Sequence, residues 1–164
     1  DYRPNVDAML WFHGRVWPQV QRAVPEARFY VVGQSPHPRL RALLGDPTVT
    51  VTGYVKDVLP YFRAADVYVA PFRMGSGTRL KILQALAAAL PLVTTTLGAE
   101  GIAVVDGVHA RVADDAPRFA QAVISVLRDA DQARNLGANG RELVASQYDW
   151  SAIVPQLDAV YRTL

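Results

Sequence analysis

Short apolar runs alternate with helix-like segments along almost the whole chain. The apolar runs typical of buried strands are 28–32, 49–52, 67–70, 92–95 and 110–113. Apolar residues recur at helical spacing in the segments 5–23, 39–44, 57–65, 78–89, 116–128, 131–147 and 151–164. Because strands that alternate with helices form parallel βαβ units, the pattern predicts a doubly wound α/β fold with a parallel, helix-covered sheet.

The predicted strands end in loops that suit ligand binding. Ligands of doubly wound sheets bind beyond the carboxyl ends of the strands. Gly33, Gly53 and the loops 71–78 and 96–101 all lie at such ends. Four candidate loops on one edge of the sheet favour a binding site there more than any one loop does.

The loop after the third predicted strand has the composition of an anion site. Met74-Gly75-Ser76-Gly77-Thr78 follows an apolar strand and leads into a helix that begins Arg79-Leu80-Lys81. Backbone N–H groups at a helix start are unpaired and attract anions. Two cations in the first turn oppose the helix dipole, and a bound phosphate would relieve that conflict. A solvated surface turn is the alternative that the local sequence leaves open.

The composition of the chain disfavours or excludes several classes of function. The 164 residues suit one domain, over 1–164, with a sizeable core, and the net charge of +2 does not favour a nucleic-acid binder. The absence of cysteine excludes disulfides and thiol catalysis. We expect no metal site, because no pair of the three histidines has metal-ligand spacing. No apolar run is long enough for a membrane span and no signal segment opens the chain, so the expected compartment is the cytoplasm.

The chain also carries short motifs in a specific order and spacing. They include Pro25-Glu26-Ala27-Arg28-Phe29-Tyr30-Val31-Val32-Gly33, Ala64-Ala65-Asp66-Val67-Tyr68-Val69-Ala70-Pro71, Gly77-Thr78-Arg79-Leu80-Lys81-Ile82-Leu83-Gln84-Ala85, Pro91-Leu92-Val93-Thr94-Thr95-Thr96 and Gly98-Ala99-Glu100-Gly101-Ile102. Together they resemble the C-terminal half of the family-4 retaining glycosyltransferases of bacteria. Those enzymes have the GT-B architecture of two Rossmann-like domains.

The resemblance implies an enzyme that transfers a hexose-type sugar from a nucleotide-diphosphate sugar with retention, without metal or cofactor. It also implies an N-terminal acceptor domain outside this chain, so that this domain alone binds donor without transferring sugar. The catalytic residues it implies, which would neutralise the diphosphate, are Arg79 and Lys81. The donor-binding residues that it implies are Gly53, Tyr54 and Val55 at the base, Gly75, Ser76, Gly77 and Thr78 around the diphosphate, and Arg73, Gln84 and Glu100 near the phosphates, ribose and sugar.

The chain departs from that family at two positions. The family places two glutamates eight residues apart around the loop, and by that spacing they fall on Ser76 and Gln84. Gln84 keeps a carbonyl acceptor but loses a charge-assisted hydrogen bond. Its helical spacing with Leu80 and Ala87 predicts an inward-facing side chain, which needs a ribose or a loop backbone as partner.

Several alternatives stay open at this point. Arg79 and Lys81 would otherwise be a solvated pair, Tyr54 a surface aromatic residue, and Glu100 a salt-bridge partner of the basic pair. For the whole chain, the alternative is a non-catalytic nucleotide-binding or scaffold module. A dehydrogenase is disfavoured, because no Gly-x-Gly-x-x-Gly follows an early strand.

Overall fold

The computed structural model of the protein describes residues 3–33, 37–77 and 79–162. The helices are α1 (Arg3–Trp11), α2 (Trp17–Ala23), α3 (Leu59–Ala64), α4 (Leu80–Ala87), α5 (Thr96–Ala99), α6 (Ala116–Arg128), α7 (Ala130–Gln147) and α8 (Trp150–Tyr161). The strands are β1 (Phe29–Val32), β2 (Val49–Gly53), β3 (Tyr68–Ala70), β4 (Leu92–Thr94) and β5 (Arg111–Val112). A 3₁₀ helix, Pro38–Gly45, connects β1 to β2.

All described strand pairs are parallel, which confirms the predicted α/β fold. β1 pairs with β2, with Phe29 opposite Val49. β4 lies between β3 and β5 in a second sheet. The described strands therefore form two parallel sheets rather than the single sheet that the pattern predicted.

One hydrophobic core joins the two sheets. Its centre is aromatic: the Phe12 ring lies 4.8 Å from that of Phe29 and 5.9 Å from that of Phe119, between centroids. Trp17 packs on Phe29 at 5.6 Å. Valines from β1 to β4 reach this core from the strand side. A second apolar cluster lies under α4 and α7 and contains Ala70, Ile82, Leu86, Leu92, Ile102, Ala110 and Leu143. The two clusters cover opposite faces of the β3–β5 sheet, as a doubly wound fold requires.

The first predicted helix is divided by a π-helical turn, Phe12–Val16, that separates α1 from α2. The Trp17 N–H donates to the Phe12 carbonyl across this turn. Pro18 follows directly, and its ring has no N–H and clashes with the preceding helical turn. A π-helical turn is wider than an α-helical one, so its position directly before Pro18 leaves room for the proline ring. Among the described helices, none has the length and apolar character needed to cross a membrane.

Candidate functional site

The loops that follow β3 and β4 are fastened together at the carboxyl edge of their sheet. The Thr94 hydroxyl donates to the Ala70 carbonyl at 2.9 Å, and the Thr95 hydroxyl donates to the Phe72 carbonyl. The Gly98 N–H in turn donates to Thr95 Oγ1 at 2.9 Å. A Cβ on Gly98 would lie 2.2 Å from Thr94 Oγ1, so only glycine fits. These contacts hold α5 directly beside the chain that leaves β3.

The anion loop, residues 74–77, has the backbone that the sequence predicted for an anion site. Gly75 and Gly77 have φ angles of 102° and 94°, a region that disfavours side chains. The N–H groups of Gly75, Ser76 and Gly77 have no acceptor among the described residues. Thr78, which was predicted to join them, lies outside the described residues.

The start of α4 adds further donors to this loop. The Arg79 carbonyl accepts from the N–H groups of Ile82 and Leu83. The N–H groups of Leu80 and Lys81 have no acceptor within the described ranges, and the Lys81 side chain is exposed. Free N–H groups at a helix start, next to a lysine, are suited to an oxyanion.

Arg79 is buried beneath the anion loop instead of projecting from it. Its side chain is 7% exposed, and its guanidinium carbon lies 5.1 Å from the centre of the Phe72 ring. Nη2 donates to the Gly75 carbonyl at 2.9 Å and approaches the Leu97 carbonyl at 3.5 Å, while Nε has no partner in the described part of the chain. The alternative of a solvated Arg79–Lys81 pair is therefore wrong for Arg79. Its charge lies under the loop, where it links the loop to α5.

The helix α4 turns Gln84 outward, so the predicted inward orientation is wrong. The buried residues of α4 are Ile82, Ala85 and Leu86. Leu80, one turn before Gln84, is 64% exposed. The prediction failed because the apolar Leu80 was taken to mark the buried face. The side-chain amide of Gln84 makes no hydrogen bond with any residue that the structure describes, so it is free for a ligand or a partner domain.

Arg73 is paired within the protein. Its Nε and Nη2 donate to the two carboxylate oxygens of Asp7 at 3.1 and 2.8 Å. The guanidinium also lies 5.4 Å from the centre of the Trp11 ring. The predicted phosphate contact would have to compete with this bidentate ion pair, which ties α1 to the loop after β3.

The remaining predicted residues lie apart from the anion loop. Gly53, with φ of 69°, ends β2, and Tyr54 beyond it is 71% exposed. Val55 is half-buried. Glu100 is exposed at the end of α5 and forms no ion pair with a described residue, so it is not the salt-bridge partner of Arg79 or Lys81. The structure thus brings together the anion loop, α4 and α5, whereas no described hydrogen bond connects 53–55 to them.

Two residues that position the site were missed from the sequence. The Phe72 ring packs against the Arg79 guanidinium. The Asp114 carboxylate accepts hydrogen bonds from the N–H and the hydroxyl of Thr96 at 2.8 and 2.7 Å. The threonine run after a buried strand was an available signal, because threonine hydroxyls commonly cap loop backbones.

A small cavity of about 90 Å³ lies between the first turn of α1, the 3₁₀ helix and the anion loop. Its lining residues are Arg3, Val6, Asp7, His37, Arg39 and Met74. In the described part of the chain, no three histidine or carboxylate side chains are grouped so as to hold a metal ion.

Comparison with known proteins shows which family the sequence of this chain matches. Residues 1–129 match the family model described as glycosyl transferases group 1. A phosphatidyl-myo-inositol mannosyltransferase from Mycolicibacterium smegmatis is 31% identical over 90% of this chain and 39% of its own length. A GDP-mannose-dependent alpha-(1-6)-phosphatidylinositol monomannoside mannosyltransferase from Mycobacterium tuberculosis is 34% identical over 85% of this chain and 40% of its own. The chain therefore spans about two fifths of these curated relatives.

Solved structures show the same fold. Sucrose-phosphate synthase from Thermosynechococcus elongatus superposes with a TM-score of 0.75 at 24% identity, over 99% of this chain and 43% of that one. HepE from Anabaena, in complex with UDP and glucose, gives 0.75 at 16%, over 92% and 44%. The C-terminal domain of a glycosyl transferase group 1 family protein from Francisella tularensis gives 0.68 at 19%, over 84% and 82%. The Rossmann-like fold expected from the GT-B resemblance is confirmed, and the family match shows that the chain belongs to the glycosyl transferases group 1 family.

Proposed function

We propose that this chain is the donor-binding C-terminal domain of a retaining glycosyltransferase that uses a nucleotide-diphosphate sugar. The observation that carries the proposal is the anion loop with the start of α4. There, the backbone N–H groups of Gly75, Ser76, Gly77, Leu80 and Lys81 have no acceptor among the described residues, and the Lys81 side chain beside them is exposed. Because the chain belongs to the glycosyl transferases group 1 family, the anion proposed for this site is the diphosphate of a nucleotide sugar.

The loop suits the charge that develops during transfer. The bond between the sugar C1 and the diphosphate oxygen breaks, and the diphosphate leaves with the bonding electron pair. A new bond forms from C1 to an acceptor hydroxyl oxygen, and the proton of that hydroxyl passes to the departing diphosphate. Preorganised N–H donors and Lys81 would stabilise the departing diphosphate without reorganisation. Arg79 would act through the loop, because its Nη2 fixes the Gly75 carbonyl from below.

Gln84 and Glu100 are the exposed polar residues proposed to contact the sugar nucleotide beside that loop. Gln84 would accept from a ribose hydroxyl through its amide oxygen. Glu100, at the end of α5, would lie near the donor sugar. Tyr54 and the backbone of Gly53 and Val55 would meet the base.

We propose that an N-terminal domain of the full-length protein supplies the acceptor site. The isolated C-terminal domain from Francisella tularensis is covered over 82% of its length, whereas longer relatives are covered over 39–41%. The domain alone would then bind donor and not transfer sugar. A cytoplasmic location, which gives access to nucleotide sugars, belongs to the same proposal.

The test is donor binding by calorimetry on the full-length protein, in buffer with EDTA because the proposal requires no metal. GDP-mannose and UDP-glucose are compared, since a relative is named for the first and HepE was crystallised with the second. Lys81→Ala should weaken binding by about tenfold or more, as expected for loss of a charged hydrogen bond. Arg141→Ala is the control, because Arg141 is an exposed cation on α7.

Equal affinities in Lys81→Ala and Arg141→Ala would remove the anion loop from the donor site. The donor-binding function would be refuted if GDP-mannose, UDP-glucose and the free nucleotides GDP and UDP all failed to bind. Transfer by the 164-residue domain alone would refute the need for a second domain.

A further inference from the structure

The anion loop has few contacts of its own. Gly75 and Gly77 have positive φ angles, and glycine loses more conformational freedom than other residues when it is ordered. Met74, Ser76 and Gly77 form no hydrogen bond with another described residue. The conformation that the loop presents to an anion therefore depends on what holds its two ends.

An arginine side chain holds each end of this loop. After the loop, Arg79 Nη2 donates to the Gly75 carbonyl at 2.9 Å and approaches Leu97 of α5. Before the loop, Arg73 Nε and Nη2 donate to the two carboxylate oxygens of Asp7 at 3.1 and 2.8 Å. Asp7 belongs to α1, and it is 66 positions from Arg73 in sequence. The beginning of the loop is thus fixed by a helix that is distant along the chain.

The Arg73 side chain is itself held in place by its surroundings. A bidentate pair with a carboxylate fixes both the position and the plane of a guanidinium. The guanidinium carbon of Arg73 also lies 5.4 Å from the centre of the Trp11 ring. That ring packs edge-on against Phe119 of the hydrophobic core, with 5.6 Å between centroids. Because the Asp7 side chain is only 23% exposed, the pair is partly shielded from water.

The negative charge of Asp7 allows two explanations of the pair to be distinguished. Asp7 lines the cavity beside the anion loop, together with Arg3 and Arg39. Its carboxylate would repel a bound anion, whereas an Arg73 released from it would attract one. Electrostatics alone therefore predicts that loss of the carboxylate tightens anion binding. Positioning predicts the opposite sign, because a released loop would have to be ordered when the anion binds.

We propose that Asp7 is a positioning residue for the donor diphosphate, because through Arg73 it holds the anion loop in its anion-binding conformation. Asp7 contacts no donor atom, and Arg73 acts on the loop instead of on a phosphate. This inference rests on the proposed function, since it requires that the loop binds the diphosphate. Its consequence is that α1 contributes to donor affinity without touching the donor.

Binding of GDP and UDP to the full-length protein, measured by calorimetry, tests the proposal in a set of variants. Asp7→Asn and Arg73→Gln should each weaken binding by about tenfold, and the double variant should be no weaker than either one. Arg73→Lys should weaken binding to a similar extent, because lysine keeps the charge but cannot form a bidentate pair. Asp7→Glu should stay within about threefold of the wild type, since it restores a carboxylate for Arg73.

The exposed ion pair between Asp131 and Arg134 on α7 supplies the matched controls. None of the described contacts of either side chain reaches the anion loop, so Asp131→Asn and Arg134→Lys should bind as the wild type does. Urea unfolding of every variant shows whether it is folded under the conditions of the titration. If Asp7→Asn does not fold, Arg73→Lys carries the test, because it keeps both the carboxylate and the positive charge.

Several results would overturn the proposal. One is tighter binding by Asp7→Asn, and another is unchanged binding by both Asp7→Asn and Arg73→Gln. Effects of opposite sign that cancel in the double variant would identify the pair as a charge effect. Wild-type affinity in Arg73→Lys would mean that Arg73 acts on the phosphate through its charge. Failure of the proposed function gives a different result, because the wild type would then bind neither nucleotide or Lys81→Ala would have no effect, and both proposals would be wrong.

Discussion

Arg79 carries a buried positive charge without a carboxylate partner in the described chain. Its compensation comes from the Gly75 and Leu97 carbonyls and from the Phe72 ring. Carbonyl dipoles and a ring quadrupole satisfy a guanidinium only partly, and Nε stays without an acceptor. An anion bound above the loop would complete that compensation, which is why we treat Arg79 as part of the donor site although it lies beneath it.

Substitutions of Arg79 distinguish the effect of its charge on donor binding from the effect of its guanidinium geometry. Arg79→Lys and Arg79→Met should both weaken donor binding by about tenfold, because neither side chain holds the Gly75 and Leu97 carbonyls together. The free energy of unfolding of Arg79→Met should change by less than about 1 kcal/mol, since no buried counter-ion is left behind. Calorimetry and urea unfolding of the full-length protein measure both quantities. Wild-type affinity in Arg79→Lys would instead show that charge alone acts on the diphosphate.

Asp46 gives a pH-dependent contribution to stability. It accepts from the Thr48 N–H at 2.9 Å, the Thr48 hydroxyl at 2.6 Å and His13 Nε2 at 3.1 Å. The hydrogen bonds from Thr48, helped by His13, lower the pKa of Asp46 below its usual value. A lowered folded-state pKa means that the stabilisation is complete above the unfolded pKa of about 3.9 and is lost as the pH falls through the lower folded value.

Asp46→Asn should therefore cost about 1 kcal/mol at pH 7, and this difference should shrink once the pH is brought below about 4. Urea unfolding at a series of pH values measures it. Glu26→Gln is the control, because the exposed Glu26 has no described side-chain partner, and its effect should be small throughout. A cost for Asp46→Asn that does not change with pH would mean that packing, and not the carboxylate charge, is responsible.

At the scale of elements, α4 and α7 approach each other through glycine. A Cβ on Gly137 would lie 2.2 Å from the Ala89 carbonyl oxygen, and one on Gly140 would lie 2.6 Å from Leu86 Cδ2. By helix propensity alone, Gly137 and Gly140 would only weaken α7. In the structure the two glycines allow α7 to pack directly against α4, the helix that follows the anion loop. This packing fixes the position of α4 on the side away from the loop.

Gly137→Ala should destabilise the protein by about 1–3 kcal/mol, although alanine is the better helix former, because the methyl group meets a backbone carbonyl. Gly14→Ala serves as the matched control. Nothing lies within 4 Å of a Cβ at Gly14, so this change should be neutral or stabilising by up to about 1 kcal/mol. Thermal unfolding of both variants measures the difference. Equal stability of Gly137→Ala and the wild type would show that α7 shifts without cost.

Elements with a clear apolar period were predictable from the sequence, and short or context-dependent ones were not. α6 was predicted at its observed bounds, since Asp115 caps it and its apolar residues share one face. α5 was predicted as loop, because its four residues carry no period and form a helix only through the Thr95 cap. The interior position of Gln84 was wrong for a related reason: in a helix of eight residues, one exposed leucine shifts the inferred face. No local pattern reports on the division of the strands into two sheets, which depends on pairings between residues distant in sequence.

At the scale of the whole molecule, the two sheets contribute different parts of the candidate site. The β3–β5 sheet carries the anion loop and α5, bound together by Thr95 and Arg79. The β1–β2 sheet carries Gly53 and Tyr54, and the cavity lined by Arg3 and Met74 lies between the two. The loops of both sheets lie at the carboxyl ends of parallel strands, where doubly wound folds bind nucleotides. In the proposed function, the base and the diphosphate of a donor therefore contact loops from different sheets.

Gln84→Glu in the full-length protein decides between an enzyme and a scaffold that has kept the fold. The Gln84 side chain is exposed and has no described hydrogen-bond partner, so a carboxylate should cost little stability. If a ribose lies against it, the charge-assisted hydrogen bond should raise kcat/KM by about tenfold. Ala87→Glu places the same charge on the same exposed face and controls for electrostatics alone. A rise confined to Gln84→Glu means that the native glutamine limits a working transferase. If neither the wild type nor the variant transfers sugar or binds nucleotide, the scaffold is favoured. A carboxylate at position 84 would then have no ribose hydroxyl to bind.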